Sequence, residues 1–340
     1  MNKREFVMLA KNLSEREIVN GMYMSIKLDG QRALWDGGVT RGMPKFDVPW
    51  ANTKKDERYL ERQYATGLWT RYGNVIHAPD WFLNALPRNI LLDGELYLDR
   101  GKFQETRTIV STIIPGDDWR KITFNVFDLP SFSMFADSGT INNPNFTKHI
   151  LRDDCFKLFK DMSKQVLQFN TTIMQLYGLY NQNRGQTVWK PLEQIQLPSN
   201  ESTAKTKLME LLEKETALGG EGIMLRSPNS IWHPKRTGQL LKVKKLEDSE
   251  ARVIGWVAGL GKLSGLFGAL IVDWNGKTFE LSGFTDDERA VNDNGWARLH
   301  PGEVGPDQYW PVKFRKGCTI RFMYRGLTDS GLPREARYLR

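Results

Sequence analysis

The chain has few cysteines and histidines. Only Cys155 and Cys318 occur among its 340 residues. Two cysteines exclude a disulfide framework and a four-cysteine zinc site, and they are typical of a reducing cytosol, so we interpret both as small buried hydrophobic residues. The four histidines lack the spacing of metal ligands, and we interpret them as structural or exposed. They are His77, His149, His233 and His300.

Long apolar runs are also missing. No segment approaches the roughly 20 apolar residues that span a membrane. The N-terminus opens with charged residues, and the apolar run after them breaks at residues 10–12, too early for a signal peptide. We therefore expect a soluble, cytoplasmic protein without a membrane partner.

The remaining composition suits a folded, basic protein. Hydrophobic residues make up 40% of the chain, aromatic residues 11% and charged residues 26%, which argues against a disordered chain. Lysine and arginine outnumber aspartate and glutamate by 48 to 40, giving a net charge of +8. This excess suits a polyanionic partner such as nucleic acid, since basic side chains displace counterions from phosphates. A basic protein without such a partner is the alternative from charge alone.

The pattern of apolar residues divides the chain into two domains, 1–247 and 248–340. The first mixes short strands with helices, and helices are predicted over residues 152–162 and 204–217. The second is predicted to be a small five-stranded barrel, with an Asn-Gly hairpin turn at residues 275 and 276. Strands are predicted over residues 23–28, 33–35, 90–92, 122–127, 222–226, 240–244, 251–257, 267–273, 278–281 and 318–324.

The first candidate site is residues 27–32, KLDGQR, directly after a predicted strand. A lysine at a strand end beside a cleft can lose its proton when it is desolvated or crowded by cations, and can then attack a phosphorus atom. We expect Gly30 to let a ligand approach the backbone and Arg32 to bind phosphate through its fork of donors. An ordinary strand-to-turn connection is the alternative for this motif by itself.

Further motifs occur in order along the chain. Glu95 and Glu221 each stand beside a glycine near a predicted strand, and Phe127 ends a strand with a ring that could stack on a base. Lys242 and Lys244 are two residues apart, so on a strand they would point to the same face. Each motif alone is weak evidence, whereas the ordered set is specific.

In this order the motifs resemble those of the ATP-dependent DNA ligases of the covalent nucleotidyltransferase superfamily, in the compact form of phages and bacteria. The resemblance runs from about residue 20 to the C-terminus. It implies an α+β fold, in which a nucleotidyltransferase domain with ATP-grasp-like antiparallel sheets and helices precedes an OB-fold barrel. It also implies a monomeric enzyme of the bacterial or phage-infected cytoplasm that uses ATP to seal 5′-phosphate/3′-hydroxyl nicks in duplex DNA, through a lysyl-AMP intermediate and a DNA-adenylate.

The resemblance assigns the nucleotide chemistry to particular residues. Lys27 would take AMP from ATP, while Lys242 and Lys244 would hold the α-phosphate as further catalytic residues. Phe127 would stack on adenine. Ser25 stands where many relatives carry a glutamate that reads the adenine amine, so adenine would be selected through a hydroxyl or backbone contacts.

Other residues would contact phosphate, ribose, metal or DNA. Arg32 would bind phosphates of the nucleotide or the nick, and Glu95 would contact the ribose. Glu221, together with Glu95, would hold Mg²⁺ or Mn²⁺. Lys262 lies in a glycine-rich basic loop that could contact DNA phosphates or simply be solvated.

An arginine before a Gly-Asn-like turn is a further family feature, and two segments compete for it. We favour Arg71 over Arg41 because residues 76–82 resemble the segment directly after that arginine in small bacterial ligases. Residues 37–66 would then be an insertion.

The C-terminal segment both matches and departs from the family. Residues 267–272 and 282–289 resemble the strand and turn of the ligase OB-fold, and residues 331–340 resemble its last strand. Larger relatives continue into an Asp-Lys pair that orients pyrophosphate, which this sequence lacks. Arg337 and Arg340 would serve instead, or the step is organised differently.

Three alternatives stay open from the sequence. RNA ligases and mRNA-capping guanylyltransferases share the first motif, although residues 282–289 favour a DNA ligase. An NAD-dependent ligase is disfavoured because two cysteines cannot supply its four-cysteine zinc module. A catalytically silent nucleic-acid binder with the same fold is disfavoured by the intact set of charged motif residues.

Overall fold

In a computed structural model of the protein, strands contain more of the described residues than helices do. The structure describes residues 7–14, 16–48, 50–52, 64–131, 166–183, 185–291, 302, 304–305, 310–328 and 330–340. The predicted helix 152–162, Cys155, His149 and His300 lie outside these residues. The chain separates into two units, Met1–Val243 and Lys244–Arg340.

The first unit contains two five-stranded sheets within its described residues. Its strands are β1 Leu9–Asn12, β2 Tyr23–Ile26, β3 Gln31–Trp35, β4 Leu68–Thr70, β5 Leu92–Tyr97, β6 Thr123–Asp128, β7 Trp189–Pro191, β8 Ile195–Gln196, β9 Ile223–Arg226 and β10 Arg236–Val243. Its helices are α1 Asp80–Asn84, α2 Phe103–Ser111, α3 Phe169–Gln182 and α4 Glu201–Ala217. Sheet 1 has the order β1-β10-β9-β2-β8, and sheet 2 has the order β4-β3-β5-β6-β7.

Helix α4 results directly from its sequence. The Asn200 side chain accepts a hydrogen bond from the backbone N–H of Thr203 and caps the helix, which begins at Glu201, three residues before the predicted start. Ala204, Leu208 and Leu212 recur every four residues and pack beneath sheet 1. Gly219, with φ of 78°, then ends the helix in the left-handed conformation. The prediction of this helix is confirmed.

Strand β5 corrects one prediction. The apolar run predicted a strand over residues 90–92, whereas the strand begins at Leu92 and ends at Tyr97. The strand continues through Asp93 because that carboxylate is fully buried and hydrogen-bonded from other elements. Glu95 therefore lies within the strand, and not in a turn after it.

Residues 37–66 lie in the connection between strands β3 and β4. The N–H of Asp36 donates to the carbonyl of Gly67 at 2.9 Å, and strands β3 and β4 pair directly below. Burial raises the pKa of Asp36 to about 6, although its carboxylate accepts hydrogen bonds from Thr40 and from the Trp69 indole. Trp50 packs edge-on against Trp69. The segment is thus anchored by buried contacts at its described ends.

The second unit forms a curled sheet. Its strands are β11 Glu247–Ala258, β12 Phe267–Trp274, β13 Lys277–Leu281, β14 Thr319–Tyr324 and β15 Arg337–Tyr338, in the order β13-β12-β11-β14-β15. Asn275 and Gly276 both have positive φ, of 53° and 77°, as the predicted hairpin turn requires. A bridge between Ser282 and Arg337 brings the two edge strands together, which agrees with the predicted five-stranded barrel. Cys318 is half-buried against this core.

No helix of the described chain has the length and apolar character needed to cross a bilayer.

Candidate active site

The register of sheet 1 gathers three predicted residues on one face. Ser25 pairs with Met224 on β9, and Met224 pairs on its other side with Lys242 on β10. Cross-strand partners in an antiparallel sheet point to the same face. The pairing continues past the strand end, since the N–H of Lys27 donates to the carbonyl of Gly222 at 2.8 Å. Ser25, Lys27 and Lys242 therefore face the same side of the sheet.

Lys27 and Glu221 form an ion pair where strand β2 ends and strand β9 begins. The amine of Lys27 donates a hydrogen bond to the Glu221 carboxylate. Their side chains are 23% and 18% exposed, so the pair is partly accessible to solvent. The sequence predicted cations around the lysine, whereas its nearest described partner is a carboxylate.

Glycines allow the chain to reach this position. A Cβ at Gly220 would lie 2.8 Å from the carbonyl oxygen of Glu215, and Gly222 has φ of 139°. Gly30 is needed for a reason other than the predicted one. A Cβ there would lie 2.3 Å from the carbonyl oxygen of Leu96 and 2.9 Å from Cγ of Glu95, so the glycine permits contact with strand β5 and not with a ligand.

Sheet 2 supplies the second wall of the site. Arg32 on β3 pairs with Glu95 on β5, and the neighbouring strand β6 carries Phe127. The guanidinium of Arg32 lies 4.4 Å from the centre of the Phe127 ring. Phe127 is half-buried, and in this structure one of its faces contacts Arg32. The predicted stacking of adenine on this ring stays a prediction.

Glu95 is electrostatically unusual. Burial raises the pKa of Glu95 to about 7, against the lowering effects of Lys27 and Arg32, and the charges of Glu221 and Asp93 raise it further. These influences show that Glu95 lies close to both Lys27 and Glu221. A carboxyl group that titrates near neutrality, beside a nucleophilic amine and a second carboxylate, is typical of a functional site.

The raised pKa of Glu95 predicts how stability depends on pH. In the unfolded chain this carboxyl ionises near 4.5, and in the folded protein near 7. The group therefore stabilises the fold below pH 4.5 and loses that contribution as the pH rises through 7. We expect Glu95→Gln to be more stable than wild type at about pH 8, on the order of 1–2 kcal/mol after allowance for partial exposure.

Denaturant unfolding at several pH values tests this expectation. The difference between Glu95→Gln and wild type should largely disappear below about pH 4, where the Glu95 carboxyl is mostly protonated in both the folded and the unfolded chain. Glu213→Gln on the exposed face of α4 is the matched control, and it should change stability by less than about 0.5 kcal/mol. If Glu95→Gln and wild type were equally stable at pH 8, burial of the ionised Glu95 carboxylate would not lower the free energy of unfolding, which would contradict this expectation.

Lys244 does not lie on the predicted strand with Lys242. Strand β10 ends at Val243, and Lys244 belongs to the second unit. Its amine lies 3.7 Å from the Glu335 carboxylate, which also accepts a hydrogen bond from Arg325 at 2.7 Å. The prediction that Lys242 and Lys244 share one strand face is therefore wrong, because the chain leaves the sheet after Val243.

The two candidate arginines lie at opposite ends of one hairpin. Ala33 pairs with Thr70, which places Arg71 beside Arg32 at the site end of sheet 2. Arg71 stacks on Tyr72 in the turn between Thr70 and Asn74. This end of the hairpin carries the residues of the first motif.

Arg41 lies beyond the other end of strand β3. Its guanidinium donates to Asn84 at 2.6 Å and to Asp80 at 2.5 Å, both on helix α1. The strand between Arg32 and Trp35 separates Arg41 from the residues of the site by about 10 Å or more. The structure therefore places Arg71 at the candidate site, whereas the Arg41 side chain is hydrogen-bonded to helix α1.

Sequence reasoning missed several buried polar residues behind the site. Asp93 accepts hydrogen bonds from Arg32 and from the Trp232 indole, and Arg226 lies 2.9 Å from Asp128. The sequence offered one signal for these residues, namely a charged side chain within an otherwise apolar strand. Such a side chain is rarely buried without a partner. Nothing in the sequence indicates which partner each one has.

Other predicted residues belong to the second unit or carry no ligand geometry. Lys262 is exposed in a short 3-10 turn of the second unit. Within the described part of the chain, no group of three or more histidine, cysteine, aspartate or glutamate side chains is arranged to hold a metal. Burial lowers the pKa of His233, together with the charges of Lys235 and Arg226, as expected for a histidine with a structural role.

Comparison with known proteins agrees with this fold. A family model described as "DNA ligase OB-like domain" matches residues 258–340. A DNA ligase of Haemophilus influenzae is 27% identical over 323 residues, covering 95% of this chain and 87% of that protein. A solved structure described as "DNA binding with a minimal scaffold: Structure-function analysis of Lig E DNA ligases" has a TM-score of 0.64 and 28% identity, covering 98% of both chains.

A more distant structure shows the fold alone. Pmar-Lig_PreS3 has a TM-score of 0.63 at 17% identity, covering 98% of this chain and 67% of that chain. The fold is therefore the predicted α+β arrangement of a nucleotidyltransferase domain followed by an OB-like domain. The chain is similar in sequence and in fold to the compact bacterial DNA ligases that its motifs resemble.

Proposed function

We propose that this enzyme uses ATP to seal 5′-phosphate/3′-hydroxyl nicks in duplex DNA, through AMP attached to Lys27. The observation that carries the proposal is the cluster of Lys27, Glu221 and Glu95, formed where strands β2 and β9 meet and strand β5 runs past. From the resemblance to compact ligases, we further propose that it acts as a monomer in the bacterial or phage-infected cytoplasm.

The first step needs a neutral amine. Nζ of Lys27 attacks the α-phosphorus of ATP, so an N–P bond forms and the bond to pyrophosphate breaks. The amine must lose a proton as it attacks, and the Glu221 carboxylate is already hydrogen-bonded to it as an acceptor. Lys242, on the same face of sheet 1, would stabilise the negative charge that develops on the phosphate.

The later steps move AMP to DNA and release it. The 5′-phosphate of the nick displaces the lysine and forms a DNA-adenylate, and the 3′-hydroxyl then displaces AMP to join the strands. Arg32 would bind the phosphates of the nucleotide or the nick, and Phe127 would stack on adenine. Lys244 in the second unit would contact phosphate after leaving Glu335, and exposed Lys262 would bind the DNA backbone.

A divalent cation fits the two carboxylates of the site. The charge of Glu221 raises the pKa of Glu95, so these groups lie close together and repel each other. Mg²⁺ is commonly bound by one or two carboxylates together with substrate phosphates. Glu95 and Glu221 would hold Mg²⁺ or Mn²⁺, which would supply neutralising charge at the phosphates.

A sealing assay tests the proposal. Purified protein is incubated with a duplex that carries one 5′-phosphate nick, with ATP, GTP or NAD as the nucleotide. Of the three nucleotides, we expect only ATP to support sealing. A nick with a 5′-hydroxyl should not be sealed with any of them. Sealing confined to RNA strands, or dependence on GTP or NAD, would contradict the proposal. Nick binding without sealing under every condition would favour a silent DNA binder.

The two arginines give a sharper test of DNA binding. We expect Arg71→Ala to keep self-adenylylation but to weaken binding of nicked DNA about tenfold, because a contact to charged phosphate is lost. Arg41→Ala should leave nick binding within about twofold of wild type, since its guanidinium is held by Asp80 and Asn84. Binding of nicked duplex by the adenylylated proteins is measured by fluorescence anisotropy. The reverse pattern would assign the role to Arg41.

A further inference from the structure

A hydrogen-bond network behind the site joins Arg32 to a tryptophan outside the sequence motifs. Nε and Nη2 of Arg32 donate to Oδ1 and Oδ2 of Asp93 at 2.6 and 2.7 Å. The indole N–H of Trp232 donates to the same Oδ2 at 2.8 Å. Asp93 is fully buried, and Trp232 is 3% exposed. One carboxylate thus holds the arginine and the tryptophan together.

The network restricts where Arg32 can place its charge. A bidentate arginine–carboxylate pair fixes the plane of the guanidinium relative to the carboxylate. The carboxylate can still rotate unless another donor holds it, and the Trp232 indole is a rigid donor packed in the core. With Asp93 oriented, the guanidinium of Arg32 lies 4.4 Å from the centre of the Phe127 ring, on the wall of the candidate site.

The indole hydrogen bond of Trp232 distinguishes it from two equally buried tryptophans of the same unit. Trp119 and Trp189 are 0% and 1% exposed, yet in the described part of the chain neither indole nitrogen has a hydrogen-bond partner. Those side chains contribute packing. Trp232 contributes packing and, in addition, a directed hydrogen bond to the residue that holds Arg32.

We propose that Trp232 is a positioning residue for phosphate binding by Arg32, acting through the Asp93 carboxylate. Its indole N–H holds Asp93 in the orientation that presents the Arg32 guanidinium to the phosphate of the nucleotide or nick. The proposal rests on the function proposed for Arg32 above. It assigns to Trp232 a role in substrate affinity that a buried tryptophan would not otherwise have.

The test is a double-mutant cycle with Trp232→Phe and Arg32→Lys. Phenylalanine at position 232 keeps most of the apolar contact and removes the indole N–H. Lysine at position 32 keeps the positive charge and removes the paired donors of the guanidinium. In the wild-type background, Trp232→Phe should lower kcat/KM for nick sealing about tenfold, as expected for one lost hydrogen bond to a charged group. In the Arg32→Lys background it should cost less than about twofold, because the fork that it orients is already absent.

Trp119→Phe is the matched control, since it truncates an equally buried tryptophan without removing a hydrogen bond. It should leave kcat/KM within about twofold of wild type. An equal loss for Trp232→Phe in both backgrounds would overturn the proposal, because a purely structural role does not depend on Arg32. Absence of sealing by the wild-type protein would instead contradict the proposed function, so the two failures are distinguishable.

A spectroscopic measurement covers the case in which Trp232→Phe folds poorly or seals too slowly. The side-chain Nε–H signal of Arg32, assigned by its loss in Arg32→Lys, is followed by NMR for protection from solvent exchange. Trp232→Phe should speed its exchange at least tenfold, and Trp119→Phe should not. Unchanged protection in Trp232→Phe would show that the indole does not orient Asp93 and would overturn the proposal.

Discussion

Replacement of Lys27 by alanine is expected to abolish covalent labelling of the protein by ATP that carries its label at the α-phosphate. The amine is the only group of this side chain that can attack phosphorus, so the loss should be complete and not partial. Lys27→Arg should fail as well, because a guanidinium stays protonated and does not act as a nucleophile. The measurement is label retained by the protein after denaturing electrophoresis.

A control separates the chemistry from general damage. Lys207→Ala, on the exposed face of α4, should be labelled as strongly as wild type. All three variants should unfold at nearly the wild-type temperature, since both positions are at least partly exposed to solvent. Undiminished label in Lys27→Ala would place the nucleophile elsewhere and would remove the basis of the proposed mechanism.

Removal of the Asp128 carboxylate is expected to destabilise the first unit strongly. Asp128 and Arg226 lie 2.9 Å apart, with side chains only 3% and 7% exposed. Asp128→Ala would leave the Arg226 charge buried, with contacts to Ser230, Met8 and the Phe169 ring that do not neutralise it. We expect a loss of about 3–5 kcal/mol in the free energy of unfolding.

An exposed ion pair provides the comparison. Asp117 lies 4.0 Å from Arg120, and their side chains are 99% and 72% exposed. Asp117→Ala should therefore change the free energy of unfolding by less than about 1 kcal/mol. Both variants are measured by urea unfolding of the full chain. A loss for Asp128→Ala as small as that for Asp117→Ala would mean that the buried arginine finds water or another partner.

Features that depend on neighbouring residues could be predicted from the sequence. Helix α4 has apolar residues every four positions, an asparagine cap and a terminal glycine, all within one continuous segment. The Asn275-Gly276 turn is equally local, because positive φ at both residues selects the hairpin. Helix α3 has polar residues and a glycine along its length, so it was missed, and its burial of Phe169 and Leu176 depends on packing.

The candidate site shows where local patterns fail. Lys27 and Glu221 could be predicted as motif residues, but their pairing depends on the register of β2 and β9, which are far apart in sequence. The end of β10 at Val243 separates Lys244 from Lys242, and an alternating pattern does not indicate where a strand leaves its sheet. The role of Trp232 depends on the hydrogen bond of its indole to Asp93, which is distant in sequence, so no local pattern indicates it.

The role of Gly30 shows the same limitation. A glycine in a phosphate-binding motif suggests room for the ligand, whereas here the strand β5 backbone occupies that space. Sequence reasoning identified the position correctly but not the reason, because a close approach between strands cannot be read from one segment.

The central claim is that AMP passes from ATP to Lys27 and then to the nick. The most direct measurement is a chase of the labelled protein with a nicked duplex and excess unlabelled ATP, in which the protein, the DNA 5′-end and free AMP are followed together. We predict that label leaves the protein only when the nick carries a 5′-phosphate, passes through the DNA, and appears as AMP as the strands join. Label that stays on the protein while nicks are sealed would contradict the claim.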